Sequence, residues 1–175
     1  MGLFSKKPKE IVIDLNASEE NKRKMREMFS SVIEDADTYH IIHASNSDQT
    51  FDRGFFIDTR ITTFHNFIMG YRESDFQVVL LEIDLEIKKH AEPFYVSINE
   101  IKETNYYPKL CQAWLIYKDG PVYGIKMEID DVSSTSKYGM HNISQSEERE
   151  DFLNFLEKYT DELQRRGFKF KRFKR

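Results

Sequence analysis

Apolar and polar positions alternate along most of the chain from Thr62 to Asp130, then give way near residue 146 to a helical spacing. The clearest stretch sets Val79, Leu81, Ile83, Leu85 and Ile87 against Leu80, Glu82, Asp84, Glu86 and Lys88. A period of two predicts a strand with one buried and one wet face. Its first half, Val78 to Leu81, is apolar on both faces, which predicts cover by a helix. Before it, Phe64, Asn66, Ile68 and Gly70 alternate with Thr63, His65, Phe67, Met69 and Tyr71, and Arg72-Glu73-Ser74-Asp75 is short enough to be a hairpin turn. Phe94, Val96 and Ile98 predict another strand, entered at Pro93. Leu110–Lys118 and Pro121–Asp130 predict a hairpin about Asp119-Gly120, two residues that accept positive φ. Residues 131–143 read as a polar loop.

The closing pattern is different. Phe152, Phe155, Leu156, Tyr159 and Leu163 form one apolar stripe, predicting a helix over 146–166 that Ser144 or Ser146 caps and Gly167 ends. Glu147, Glu148 and Glu150 suit the positive end of its dipole. Those aromatics together with Trp114 are expected to form the largest block of the core. At the other end, Met25, Met28, Phe29, Val32, Ile33 and Ala36 share one face of a helix predicted over 17–37, capped by Asn16 with Glu19 completing a capping box. This stripe reads as packing on the domain, although methionine-rich faces also suit partners. Tyr39–Ala44 then predicts a strand, Ser45–Gln49 a polar turn, and Phe51–Asp58 a short strand interrupted by Gly54.

Seven strands in sequence, joined by short turns, imply an antiparallel meander. The expected class is α+β: a curved antiparallel sheet or partly open barrel of about seven strands, closed by the C-terminal helix, with an additional N-terminal helix. Residues 11–166 form a single globular domain, with strands over 39–130; residues 1–10 form a basic arm and 167–175 a basic tail.

Composition sharpens this picture at the ends. Seven cations and no acid lie within 165–175; subtracting those seven from the formal net charge of −4 leaves −11 on the rest. A nucleic-acid-binding body would show a basic face of its own, so the interest in charge is local. Cys111 is the only cysteine of the 175 residues, which points to a reducing, cytoplasmic setting. No apolar run approaches the roughly 20 residues of a spanning helix. The opening Met1-Gly2-Leu3-Phe4-Ser5-Lys6-Lys7-Pro8 lacks the apolar core of a signal peptide and, with Lys6, the sixth-position hydroxyl of a myristoylation signal.

Seven antiparallel strands followed by one amphipathic helix, over about residues 39–166, resembles the pleckstrin-homology-like superfold in its bacterial and GRAM-type forms. The resemblance rests on element order. Members that bind phosphoinositides carry a Lys-rich run ending in Lys/Arg-x-Arg across the first hairpin; here Arg53, Arg60 and Arg72 are scattered, so that route to headgroup binding is not implied. The family helix often carries a Trp, where this chain has Phe152 and Phe155.

The chemistry-bearing residues read as structural. His40 and His43 fall on opposite faces of a strand and cannot share a metal simply; His65, His90 and His141 stand apart. Cys111 lies in a strand pattern with no neighbouring base or cation to activate it, so a buried inert thiol is expected. Asp75 and Glu86-Ile87-Lys88 loosely match a nuclease motif, but on one strand they lie about 35 Å apart at ~3.3 Å per residue, too far to share a metal. Glu82, Asp84 and Glu86 read as a solvated strand face. No catalytic, cofactor-binding or metal-binding residue is assigned, and the chain is expected to be a non-enzymatic binding or scaffolding module without cofactor.

Its partner is expected to be a protein or an anionic membrane surface, with nucleic acid an alternative bound by phosphate contacts and stacking. The residues expected to make such contacts are Lys6, Lys7, Arg165, Arg166, Lys169, Phe170, Lys171, Arg172, Phe173, Lys174 and Arg175. Two weak attachments, one at each end, would act together at a membrane. A small enzyme with a site assembled from distant residues is the third reading.

Overall fold

The computed structural model describes residues 13–53, 58–118, 125–129, 132–133 and 142–168. The basic arm, Asp119-Gly120, His141 and residues 169–175 lie outside the described residues.

Helix α1 spans Leu15–Val32, starting two residues before the expected range. Its cap is Asp14, not Asn16: the Asp14 carboxylate accepts from the backbone N–H of Asn16 and Ala17 at 3.0 and 3.2 Å. The helix stops at Val32, short of residue 37. Ile33 is extended there and Asp35 is left-handed, at φ 56°, and the β-branched pair Val32-Ile33 gives a helix end little support. Met25, Phe29 and Ile33, each four residues apart, are buried. On the wet face Arg23 pairs with Glu20 and Glu27.

Strands β1 (His40–Arg53) and β2 (Asp58–Arg72) pair without a break from His40↔Tyr71 to Arg53↔Asp58. The expected polar turn at Ser45–Gln49 and the separate strand after it are therefore one continuous strand. The polar residues mislead because strand pairing uses the backbone, which polar residues offer as readily as apolar ones. Arg72 and Asp75 hold the next turn by a 2.6 Å ion pair, and β3 (Gln77–Ile83) returns. β3 ends at Ile83, five residues before the alternation does. Asp84 folds the chain back, its Oδ1 accepting from Lys88 N at 2.7 Å and Lys89 N at 3.0 Å. Ile87, at φ 52°, turns inward and is buried, whereas Leu85 is left outside.

β4 (Phe94–Val96) is short because Ser97 and Glu100 form a capping box around a 3-10 turn, Ile98–Glu100. That turn takes Ile98 out of the predicted strand and sends the chain to the far edge. β5 (Ile101–Tyr107) was not legible: a register shift between Ile101 and Glu103 breaks its alternation, so Ile101, Thr104 and Tyr106 are the buried positions. β6 (Gln112–Tyr117) and β7 (Ile125–Glu128) pair antiparallel as expected. Within the stretch read as a loop, β8 (Val132–Ser133) and β9 (Ile143–Ser144) form a small second sheet. Helix α2 spans Ser146–Arg165.

The fold is α+β, as expected: a seven-stranded antiparallel sheet in the order β4-β3-β2-β1-β7-β6-β5, with one helix before the strands and one after. The sheet is open, with β4 and β5 as its edges. α2 covers one face. Phe152, Phe155, Leu156, Tyr159 and Leu163 pack there on Ile42, Met69, Tyr71, Leu80 and Leu115, each stripe residue contributing about 1.5–3 kcal/mol of apolar burial. Tyr71 meets Phe155 and Phe152 at ring separations of 4.9 and 5.3 Å. α1 covers the opposite face across β1, β2 and β3, through Met25, Phe29 and Ile33 on Ile68, Val79 and Leu81. β3 thus lies between two helices, which is why Val78–Leu81 is apolar on both sides. Gly70 makes this possible: a Cβ there would fall 2.3 Å from Phe29 Cζ. Trp114 departs from expectation. It is on the face away from α2, half-buried, with an edge contact to Tyr107 at 6.0 Å, since the alternation gives the inward positions to Ala113 and Leu115.

Candidate functional site

Two concavities flank the paired strands. The first lies between the helices, above the edge of β1 that faces β7. Among the described residues β7 pairs with β1 at Ser45↔Glu128 alone, so the earlier part of this edge needs other partners. Gln145 supplies one: its carboxamide accepts from His43 N and donates to His43 O, both at 2.9 Å. The side chain imitates a neighbouring strand residue, and for that reason it gives α2 no N-cap bond. Neither Ser144 nor Ser146 occupies the N-cap, which belongs to Gln145. Arg26 donates to Tyr39 O at 3.2 Å, and Lys22 crosses to Glu148 at 2.5 Å. The remaining clefts of about 280 and 290 Å³ share Arg26, Ile41 and Glu148 in their walls. This is mainly a helix-to-sheet seam closed by specific polar bonds.

The second concavity lies where β2 outruns β3. The last β2–β3 pair is Asn66↔Ile83, and Asn66 also pairs with Ser45, the last β1 residue joined to β7. Past that row the hairpin continues for eight pairs, Asn46↔His65 to Arg53↔Asp58, a reach of about 25 Å at ~3.3 Å per residue. No third strand joins this ribbon among the described residues. At its base, on the α1 side of the sheet, is an open hollow of about 670 Å³ lined by Phe64, Asn66, Ile83, Asp84, Leu85 and Glu86. Phe64 is 39% and Leu85 56% exposed, and Ile61 lies exposed farther out along β2. Asn66, by contrast, is 4% exposed, and its Oδ1 has no hydrogen-bond partner among the described residues.

The acids read as a wet strand face are thus redistributed. Glu82 stays on β3 and meets His65 Nδ1 at 2.6 Å; Asp84 and Glu86 leave the strand and rim the hollow. Sequence reasoning missed this site. Its only available signal was a polar Asn66 in phase with Ile68 and Gly70 on a buried face.

The other candidates fall elsewhere. Cys111 is half-buried between a 3-10 turn and β6, at φ 48°, and Arg149 Nη2 lies 3.9 Å from its sulfur. The expectation of a thiol within a strand, without a neighbouring cation, is corrected by that guanidinium, which comes from α2 and is remote in sequence. His40 stacks on Tyr71 at 5.5 Å, whereas His43 is buried on the opposite face. No group of three metal-ligating side chains is assembled among the described residues. Arg165 pairs with Glu162 at 2.5 Å; Arg166 pairs with Glu162 at 2.8 Å and donates to Asn99 at 2.5 Å. Lys6, Lys7, Lys169, Phe170, Lys171, Arg172, Phe173, Lys174 and Arg175 lie outside the described residues. No described helix is long and apolar enough to cross a membrane.

No family model, curated protein or solved structure matches this chain.

Proposed function

We propose that this chain is a non-enzymatic recognition module with a pleckstrin-homology-like sheet, which binds a protein partner as an extended segment along β2 where it runs past the end of β3. The carrying observation is the ribbon of eight pairs, which no third strand joins among the described residues, with exposed Ile61 and Leu85 beside it. A two-stranded hairpin alone is marginal in water and gains most from a third strand or a packed surface. A free strand edge offers N–H and C=O groups to an added strand, and flanking pockets supply its specificity. The non-enzymatic reading is supported by the packing between sheet and α2, where aromatic side chains fill the space an enclosed site would use. Seven antiparallel strands followed by α2 support the family resemblance; fold alone does not give function.

The test is selection of displayed random peptides on the immobilised full chain, with counter-selection on Phe64→Ser/Leu85→Ser. Both side chains are exposed, so the double variant keeps its circular dichroism spectrum. The reading requires peptides that bind the native chain and not the variant. Peptides indifferent to the substitutions would overturn it. So would a chain that enriches no peptide but co-sediments with phosphatidylserine vesicles, which would move recognition to the basic ends.

A further inference from the structure

We infer that the cleft between the two helices binds a free α-amino acid, held as its zwitterion against the edge of β1. This site is separate from the end of β3. In an antiparallel pair every second residue turns both its N–H and its C=O away from the neighbouring strand. On this stretch of β1 the groups turned away from β2 belong to Ile41, His43 and Ser45, in phase with Tyr39 before them. Ser45 meets Glu128 of β7, the Gln145 carboxamide holds His43, and Tyr39 O accepts from Arg26 at 3.2 Å. Ile41 stands between them, buried, and neither its N–H nor its C=O has a partner on that side among the described residues. Buried backbone groups are almost always paired. Both clefts between the helices, of about 280 and 290 Å³, have Ile41 in their walls. Gln145 shows what fits such an edge: one small group that accepts from the N–H and donates to the C=O of the same strand residue.

The walls add charge to that pattern. α1 presents Lys22 and Arg26, four residues apart on one face. α2 presents Glu148, with Asp151 three residues on at the second cleft. A positive wall thus faces a negative one across a backbone donor and acceptor. The other charges in the first cleft are Arg23, committed to Glu20 and Glu27, and exposed Glu19, 3.6 Å from Lys22. Lys22 and Glu148 meet directly at 2.5 Å, with 26% and 34% of their side chains exposed. A pair so placed near the surface changes partners at little cost. A zwitterion inserted there replaces one ion pair with two. Its carboxylate takes Lys22, Arg26 and the Ile41 N–H; its ammonium takes Glu148 and the Ile41 C=O. Arg26 gives Tyr39 O one of its five N–H donors and keeps others for the carboxylate. A simple anion would leave Glu148 and the Ile41 carbonyl unanswered, and a simple cation would leave Lys22, Arg26 and the Ile41 N–H so. The clefts fall just below the roughly 300 Å³ at which pockets for drug-sized ligands begin, which suits a single amino acid better than a peptide.

The common L-amino acids, each added at millimolar concentration to the full chain, test this by thermal unfolding and titration calorimetry. At least one is expected to raise the melting temperature. Its N-acetyl derivative and its carboxamide, each lacking one of the two charges, are expected to bind at least about tenfold more weakly, equivalent to about 1.4 kcal/mol. The exchange Lys22→Glu/Glu148→Lys keeps an ion pair between the helices but reverses the two walls. It is expected to weaken binding at least about tenfold while the chain without amino acid still folds, whereas a purely structural pair would leave binding untouched. Lys22→Met, which keeps the length of the side chain, gives the same loss of affinity if the exchange does not fold. Failure of every amino acid to bind would overturn the inference. So would derivatives that bind as tightly as the parent amino acid, or a folded exchange variant with unchanged affinity.

Discussion

Gln145 holds the backbone of His43 at both ends of its carboxamide, 2.9 Å on each side, on a stretch of β1 that no strand covers among the described residues. Both residues are buried. A side chain just before α2 thereby fixes where that helix begins and how it lies over the sheet.

Gln145→Ala is expected to destabilise the fold by roughly 2–4 kcal/mol, because it strands a buried N–H and a buried C=O together. Gln145→Glu restores only the acceptor and is expected to recover less than half of the loss. Urea unfolding reads both, as a lower midpoint at an unchanged slope.

Gly70→Ala brings a methyl group to 2.3 Å from Phe29 Cζ. Phe29 is fully buried, so its ring can yield only by moving its neighbours. A cost of about 1–3 kcal/mol is expected. Phe29→Leu loses stability alone, but a double-mutant cycle should show that it relieves the Gly70→Ala clash, with a coupling of at least about 0.5 kcal/mol.

Tyr71 and Tyr159 set the alkaline limit. Burial raises both phenols above their usual range; the carboxylates of Asp151 and Glu148 add to the effect at Tyr71, and Tyr117 adds to it at Tyr159. The unfolded chain ionises these groups near pH 10 and the folded chain resists doing so. Their contribution to stability is therefore complete below about pH 10 and is lost as pH rises beyond it. The Tyr159 hydroxyl has no hydrogen-bond partner among the described residues. Tyr159→Phe is expected to match or exceed the native chain at pH 7, by up to about 1 kcal/mol. Its advantage should widen above pH 10, in chemical denaturation at fixed temperature.

What the sequence conveyed was the part of the fold governed by simple periods. α2 and its stripe, the apolar half of β3 and the Met25–Phe29 face of α1 all follow from spacing alone. β5 was hidden because its register shift moves Thr104 and Tyr106 out of phase with Ile101. The far half of β1 was hidden because the polar run Ser45 to Gln49 reads as a turn, although its backbone pairs residue by residue with β2. The end of β3 was hidden by a coincidence of pattern: Leu85 and Ile87 continue the alternation although Asp84 has already turned the chain. The hollow depends on these last two features, a strand that runs on and a strand that stops. Its residues could be listed from the sequence, but their meeting could not.

Recognition at the end of β3 is tested most directly by nuclear magnetic resonance of the ¹⁵N-labelled full chain titrated with a peptide enriched in the selection. Shift changes concentrated in residues 60–66 and 83–86, with the Asn66 side-chain amide among the largest, are the predicted result. Changes confined to Lys22, Ile41 and Glu148 between the helices, or to the basic ends, would contradict it.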